Sequence, residues 1–345
     1  MPNNIDSNTV NNLTPIAQRT LNQINTPISA IGLGCMGMSE FYGDSDDAQS
    51  LALLDKAIEI GINFFDTADT YGLGHNETLL GQCLAKHHTQ RDKLVIATKF
   101  GIVREQGKYE RRLDNSPAYI ETACNASLKR LGVECIDLYY CHRRDHDTPL
   151  EVMMDALAKL VKQGKIKGIG LSEVSSDTLR QAHAIHPITA VQSEYSLWSR
   201  TPESDLLPTC RELGVNFVAY SPLGRAFLTG KLDTNDLPDN DFRQHLPRLQ
   251  GEQLNQNQQL IAKFSQLASQ WGYSNAQLCL AWILGKYPHV IPIAGTRQQK
   301  YLLENANATA IELTPTQISQ LDDLFNPEKV AGQRYPDAGW VGIEK

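Results

Sequence analysis

The sequence has no Cys-x-x-Cys pair, no long apolar run and no surplus of basic residues, and each absence removes a class of function. Its seven cysteines (35, 83, 124, 135, 141, 210 and 279) are scattered and odd in number. That pattern argues against a disulfide framework or a zinc site, and no metal is expected. No apolar stretch approaches the ~20 residues needed to span a bilayer. A formal charge of −7 gives no general attraction for nucleic acid or an anionic membrane, so any bound anion must meet a local basic site. The start, "MPNNIDSNTVNNLTP", lacks the charged-then-apolar pattern of a secretory signal. Residues 1–15 are therefore expected to form a disordered polar tail on a cytoplasmic protein.

What is present is an alternation. Short apolar runs recur at 30–34 (AIGLG), 62–66 (INFFD), 94–99 (LVIATK), 137–142 (DLYYCH), 168–172 (GIGLS), 190–194 (AVQSE), 216–221 (NFVAYS) and 290–295 (VIPIAG). Between them lie amphipathic stretches such as Asp46–Ile60, Ser116–Leu131, Leu150–Gln163 and Asn275–Leu284. In the second of these Ile120, Ala123, Cys124, Leu128 and Leu131 share one helical face. "DNSP" before it supplies capping residues and a proline suited to the first helical position. Eight strand-helix units over roughly 250 residues predict a parallel (β/α)8 barrel. A doubly wound open sheet is the other arrangement compatible with the pattern. Two stretches break the rhythm, Arg104–Asn115 and the longer Arg225–Asn255. Insertions of that length within a compact domain are usually functional.

In such a barrel, catalytic groups sit where strands end at the C-terminal face. The second run ends on Asp66, with Tyr71 five residues on; the third ends on Lys99 and the fourth on His142. Three neighbouring strand ends thus carry an ionisable residue. An isolated polar residue at a strand end is ordinarily a solvated edge, but three adjacent ones beside a tyrosine form a constellation. The ammonium would be held charged by the adjacent carboxylate. The tyrosine, close to that ammonium, would have its pKa lowered, easing proton transfer.

These residues and the motifs around them resemble the aldo-keto reductase superfamily, from about Leu21 to Leu324. "GLGCMGMSEFYG", "DTADTYG", "ATKFGIV", "DLYYCHR" and "YSPLGRAFLTGK" are most similar to its YakC-type branch, that of pyridoxal-reductase-like and perakine-reductase-like enzymes. The resemblance implies a barrel over residues 16–330 with an N-terminal β-hairpin and long loops at the C-terminal face. A tail over 331–345 would approach the substrate pocket. It implies that Asp66, Tyr71, Lys99 and His142 form a catalytic tetrad reducing an aldehyde or ketone at the expense of NADPH. Tyr71 would be the proton donor, Lys99 would depress its pKa, Asp66 would orient Lys99, and His142 would hydrogen-bond the carbonyl. The alternative within the same fold is a nucleotide-sensing binding subunit with slow turnover. The implied partner is a small carbonyl compound, with monomer and homo-oligomer both open.

"GLGCMG", 32–37, is a literal G-x-G-x-x-G, but that fingerprint needs a helix to open at once on a pyrophosphate. Here the next helix is expected only near Asp46. The resemblance instead places Met36 and Gly37 near the nicotinamide or substrate, with Phe41, Tyr42 and Trp198 around the substrate. It assigns the nicotinamide carboxamide to Ser172 and Gln192, and ring stacking to Tyr220. Glu173 stands where much of the superfamily has Asn and is not assigned to the site. The pyrophosphate would lie under Ser221, Pro222, Leu223 and Gly224, with Lys231 further off; Ala226 stands where many relatives have Gly. Gly295, Thr296 and Arg297 would meet the 2′-phosphate at a helix start, a favourable place for an anion. Tyr301, Glu304 and Asn305 would flank the adenine. His142 and His146 lie on a strand-to-loop turn and make a poor metal pair. Cys141, one residue before His142, should point away from the site by strand alternation.

Overall fold

The computed structural model describes residues 15–105 and 111–344. Of the expected tail over residues 1–15, residues 1–14 lie outside them. A hairpin of β1 (Gln18–Leu21) and β2 (Ile24–Ser29) opens the fold. Then come β3 (Leu33–Gly34), α1 (Asp47–Glu59), β4 (Phe64–Asp66), α2 (His75–Lys86) and β5 (Val95–Phe100). A second hairpin, β6 (Ile102–Arg104) with β7 (Arg111–Leu113), leads to α3 (Pro117–Leu131). The chain then alternates strictly: β8 (Ile136–Cys141), α4 (Leu150–Lys162), β9 (Ile166–Ser172), α5 (Ser176–Ile185), β10 (Ile188–Glu194), α6 (Leu206–Leu213) and β11 (Asn216–Tyr220). Helix α7 (Gly251–Trp271), α8 (Asn275–Lys286), β12 (Val290–Ile293), α9 (Gln299–Asn307) and α10 (Pro315–Leu324) complete the chain.

Strands β3, β4, β5, β8, β9, β10, β11 and β12 pair in that order, all parallel. A parallel bridge from Gly32 to Ile293 joins the two ends. The architecture is the (β/α)8 barrel, and the open-sheet alternative is excluded. The insertion after β11 ends at Gln250, not Asn255, because α7 already starts at Gly251. Its first turns, rich in exposed Gln, Asn and Glu, carry too few apolar residues to announce a helix.

Two cores arise from strand alternation. Phe64, Val95, Ala97, Leu138, Tyr140, Ala190, Val218 and Ile291 fill the barrel interior together with Leu21, Ile24 and Ile28 of the hairpin. Their alternates, such as Phe65, Ile96, Tyr139 and Val191, pack outward against the helices. Tyr140 fits inside because Gly170 on the neighbouring strand has no side chain; a Cβ there would stand 2.2 Å from the ring. Side chains tie the hairpin to the barrel: Asn63 Oδ1 accepts from Ser29 N at 2.6 Å, and Asn216 Nδ2 donates to the Thr20 carbonyl at 2.9 Å.

Candidate active site

The parity that sends Phe64, Ala97, Tyr140, Ala190 and Val218 inward also determines the residues two positions further along each strand. Asp66, Lys99, His142, Gln192 and Tyr220 continue those same inward rows to the C-terminal mouth. Register places their strands side by side, with Asp66 opposite Ala97, Lys99 opposite Tyr140, and Gln192 opposite Ser172. The loop after β4 runs along β5, where Thr67 N and Asp69 N donate to the carbonyls of Ala97 and Lys99. This delivers Tyr71 beside Lys99. The opening of the sequence motif "NFFDTADTYG" is thus a strand that buries Phe64 and Phe65 and ends by presenting a carboxylate.

Lys99 is fully buried and forms an ion pair with Asp66 Oδ1. Its Nζ also donates to the Thr67 carbonyl at 2.7 Å and to Tyr71 Oη at 3.5 Å. Gln192 Nε2 donates to the other Asp66 oxygen at 2.7 Å. The His142 imidazole stands edge-on to the Tyr71 ring, with centroids 5.8 Å apart. Burial opposes the Lys99 charge, but Asp66 outweighs it and holds the ammonium above its ordinary pKa. Burial also raises the Asp66 carboxyl, against the pull of Lys99 and Gln192.

One expectation is corrected. The Tyr71 phenol lies above its ordinary value, because desolvation outweighs the neighbouring ammonium. The ammonium still favours the ionised form, but in a site this dry the resting phenol keeps its proton.

A cavity of about 730 Å³ extends from these groups to the far side of the barrel mouth. Met36, Gly37, Phe41, Tyr42, Asp66, Tyr71, His142, Ser172, Gln192 and Tyr220 line one end. Ser221, Pro222, Leu223, Lys231, Gly295, Thr296, Arg297, Tyr301, Glu304 and Asn305 line the rest. That volume lies within the usual range for cofactor and ligand sites.

Three assigned residues do not line it: Lys99, fully buried behind Asp66 and Tyr71, Trp198 and Gly224. Trp198 is buried behind the wall, stacked on Phe227 at 5.1 Å with Arg248 over its ring. Gly224 packs against that same indole, with φ of 55°, so its place is set by close approach to Trp198 rather than by an open surface.

Arg297 lies two residues before α9, and its guanidinium is bonded to the backbone carbonyls of Tyr42 (3.0 Å) and Asp44. Lys231 pairs with Glu304 at 3.4 Å and sits over the Tyr301 ring. Cys141 packs outward in the core and donates to the Arg143 carbonyl at 3.3 Å, as alternation required.

Sequence reasoning missed a buried polar network beside Tyr220. Arg334 pairs with Glu173 and with Glu194, the latter at 3.0 Å, and donates to Tyr220 Oη. Tyr335 Oη meets Tyr220 Oη at 3.0 Å and accepts from Arg225 Nη2 at 2.6 Å. Tyr335, Pro336, Ala338 and Gly339 line the cavity, as do Arg143, Arg225, Phe242 and Arg243. The available signals were the basic residue directly after the His142 strand end and the "QRYP" near the C-terminus. Neither identifies its partners in sequence. His87 bonds Asp55 at 2.7 Å and lies near Cys83. Lys86 already pairs with that carboxylate.

The aldo/keto reductase family model matches residues 30–326. The chain belongs to this family. Among solved structures it is similar to the glycerol dehydrogenase from Gluconobacter oxydans: 30% identity, 89% of this chain and 94% of that one covered, TM-score 0.81. It is also similar to a thermostable aldo-keto reductase solved with the inhibitor epalrestat: 30% identity, 90% and 100% covered, TM-score 0.73. Aldo-keto reductases are oxidoreductases that act on small carbonyl compounds with a nicotinamide cofactor. Among the described residues no helix is long and apolar enough to cross a membrane.

Proposed function

We propose that the protein reduces aldehydes or ketones to alcohols with NADPH, with Asp66, Tyr71, Lys99 and His142 as its catalytic residues. The observation that carries this reading is the Tyr71 hydroxyl, which lines a ligand-sized cavity and lies within hydrogen-bonding distance of the buried Lys99 ammonium. NADPH, when bound, would supply a hydride for the carbonyl carbon. Tyr71 gives its proton to the carbonyl oxygen as the C–O π bond breaks, and Lys99 stabilises the phenolate that remains. Asp66 keeps Lys99 charged and fixed in place. His142 offers an imidazole N–H to the same carbonyl oxygen; one such donor is worth about 3–4 kcal/mol in comparable sites.

Ser172 and Gln192 would hold the carboxamide, Tyr220 the ring, the 221–223 segment the pyrophosphate, and 295–305 the adenosine with its 2′-phosphate. The donor chemistry fits: hydroxyl and amide groups surround the nicotinamide end, and a guanidinium without a carboxylate partner among the described residues stands at the phosphate end. The pyridoxal-reductase-like branch belongs to this proposal on the strength of the motifs.

The test is NADPH oxidation across pyridoxal, aromatic and aliphatic aldehydes, ketones and quinones, with the parent and Tyr71→Phe. The variant should bind NADPH as the parent does and lose most of its reductase activity. A variant that reduced a good aldehyde at the parental rate would remove Tyr71 from its role.

A second reading is favoured by one observation. Segment 41–44 is tied to Arg297 and also to Asn240, Asp241 and Phe242, linking two walls of the cavity. A nucleotide held beneath such a tie would leave slowly, as a sensing subunit requires. Single-turnover hydride transfer much faster than cofactor release would support it.

A further inference from the structure

The nicotinamide end of the cavity contains a buried cation with no role in the proposed reduction. Arg143 comes directly after His142, lines the cavity and is 7% exposed. Its Nη1 donates to the His142 carbonyl at 2.6 Å and to Ser172 Oγ at 3.1 Å. Among the described residues its Nε has no hydrogen-bond partner, and no carboxylate lies within ion-pair distance of the guanidinium. A buried charge held this way is costly unless further acceptors satisfy it.

The neighbouring residues narrow what that acceptor is. Glu173 has no amide to donate, and its carboxylate is turned to Arg334 and to the Glu194 N–H. The Gln192 amide nitrogen is directed to Asp66. Ser172 Oγ already accepts from Arg143, which leaves its hydroxyl hydrogen to point elsewhere. The donors at this corner are therefore the Ser172 O–H, the second Gln192 amide N–H and the remaining N–H groups of Arg143, of which only the last are charged. A carboxamide carbonyl oxygen, with two lone pairs, matches the Ser172 O–H and one charged N–H.

We propose that Arg143 is a positioning residue for the cofactor, orienting the Ser172 hydroxyl and offering a charged N–H to the nicotinamide carboxamide in the place where Glu173 cannot. This rests on the assignment of NADPH to the cavity. It has an electrostatic corollary: a fixed positive charge beside the ring favours the neutral reduced nicotinamide over the oxidised, cationic one.

The experiment is a set of dissociation constants, by quenching of protein fluorescence, for NADPH, NADP⁺ and 2′,5′-ADP, which has no nicotinamide. They are measured for the parent, Arg143→Met and Arg143→Lys. The Met variant should bind NADPH about ten- to a hundred-fold more weakly, the size of one charged hydrogen bond. It should bind 2′,5′-ADP within about twofold of the parent, and the preference for NADPH over NADP⁺ should shrink. Lysine, which keeps the charge, should restore part of that preference. Equal weakening of all three ligands, or an unchanged NADPH constant, would overturn the assignment. A parent that binds 2′,5′-ADP as tightly as NADPH would show that the nicotinamide is not held here, which removes the cofactor reading itself.

Discussion

The guanidinium of Arg334 meets the carboxylate of Glu173 through two hydrogen bonds, one of 3.1 Å, across 161 residues of chain. Arg334 also serves Glu194, and both carboxylates are nearly inaccessible to water. Burial would raise their pKa values; Arg334 overrides it, and with Arg225 and Arg248 it holds Glu194 at about 2. Arg334→Ala would strand the Glu173 charge and leave Glu194 to Arg225 at 3.4 Å, so it should reduce the free energy of unfolding by about 3–5 kcal/mol. Adding Glu173→Gln should recover part of the loss. Urea denaturation checks this, and a loss below about 1 kcal/mol would show that solvent reaches the pair.

Asp69 behaves in the opposite way. Burial and the Glu77 charge push its pKa from 3.8 up to about 8, with only partial relief from Arg130. In the unfolded chain the group ionises near pH 4, while in the folded protein it keeps its proton. Its contribution to stability is therefore lost progressively as pH rises from about 4 to about 8, and is constant outside that window. Asp69→Asn removes the ionisation. Its melting temperature should equal the parent's near pH 4 and exceed it by a widening margin toward pH 8. Parallel curves would show that Asp69 is ionised in the folded state.

Cofactor choice is expected to depend on Arg297. Its guanidinium is partly satisfied by two backbone carbonyls, yet a phosphate offers it a charge-assisted partner. Arg297→Ala should weaken NADPH binding by at least about tenfold while leaving NADH nearly unchanged. High salt should narrow the parent's preference, because an exposed contact is screened. Equal losses for both cofactors would reassign Arg297 to holding segment 42–44.

Ala226 adopts a φ of 75° directly after Gly224 and Arg225, both at 55°. A left-handed alanine is strained by about 1–2 kcal/mol. Ala226→Gly would relieve that strain at an entropic cost of about 0.4–1 kcal/mol in the unfolded chain. The net gain in stability should be small, about 0–1.6 kcal/mol, while the freed loop should release cofactor faster. Stopped-flow dissociation reads the second effect; an unchanged rate would mean that the loop does not limit release.

The barrel, and the meeting of Asp66, Tyr71, Lys99 and His142 at its mouth, were legible in sequence for one reason. Strand parity is local, so a run such as "NFFD" states both which residues are interior and which one arrives at the mouth. The motifs around Ser172, Gln192 and Arg297 were legible through resemblance. What stayed hidden depends on long-range packing. Nothing near Glu173 reveals that Arg334 will neutralise it, and nothing near Trp198 shows that Phe227 will draw its ring behind the wall. The net pKa of Tyr71 was misjudged because adjacency to Lys99 can be read from order along the chain, whereas the depth of burial cannot.

The bridge between Gly32 and Ile293 gives the barrel one weak stave joint. Among the described residues two backbone hydrogen bonds cross it, from Gly32 N to the Pro292 carbonyl and from Ala294 N to the Gly32 carbonyl. Ladders elsewhere extend over up to five residue pairs. The amides of Gly32 and Ala294 should therefore be among the first of the wall to exchange with deuterated solvent. Gly34, Ile293, Ala294 and Gly295 also line the cavity, so a ligand lying there would clamp the joint and slow that exchange. Ligand binding and closure of the barrel are in this sense a single equilibrium, observed from two sides.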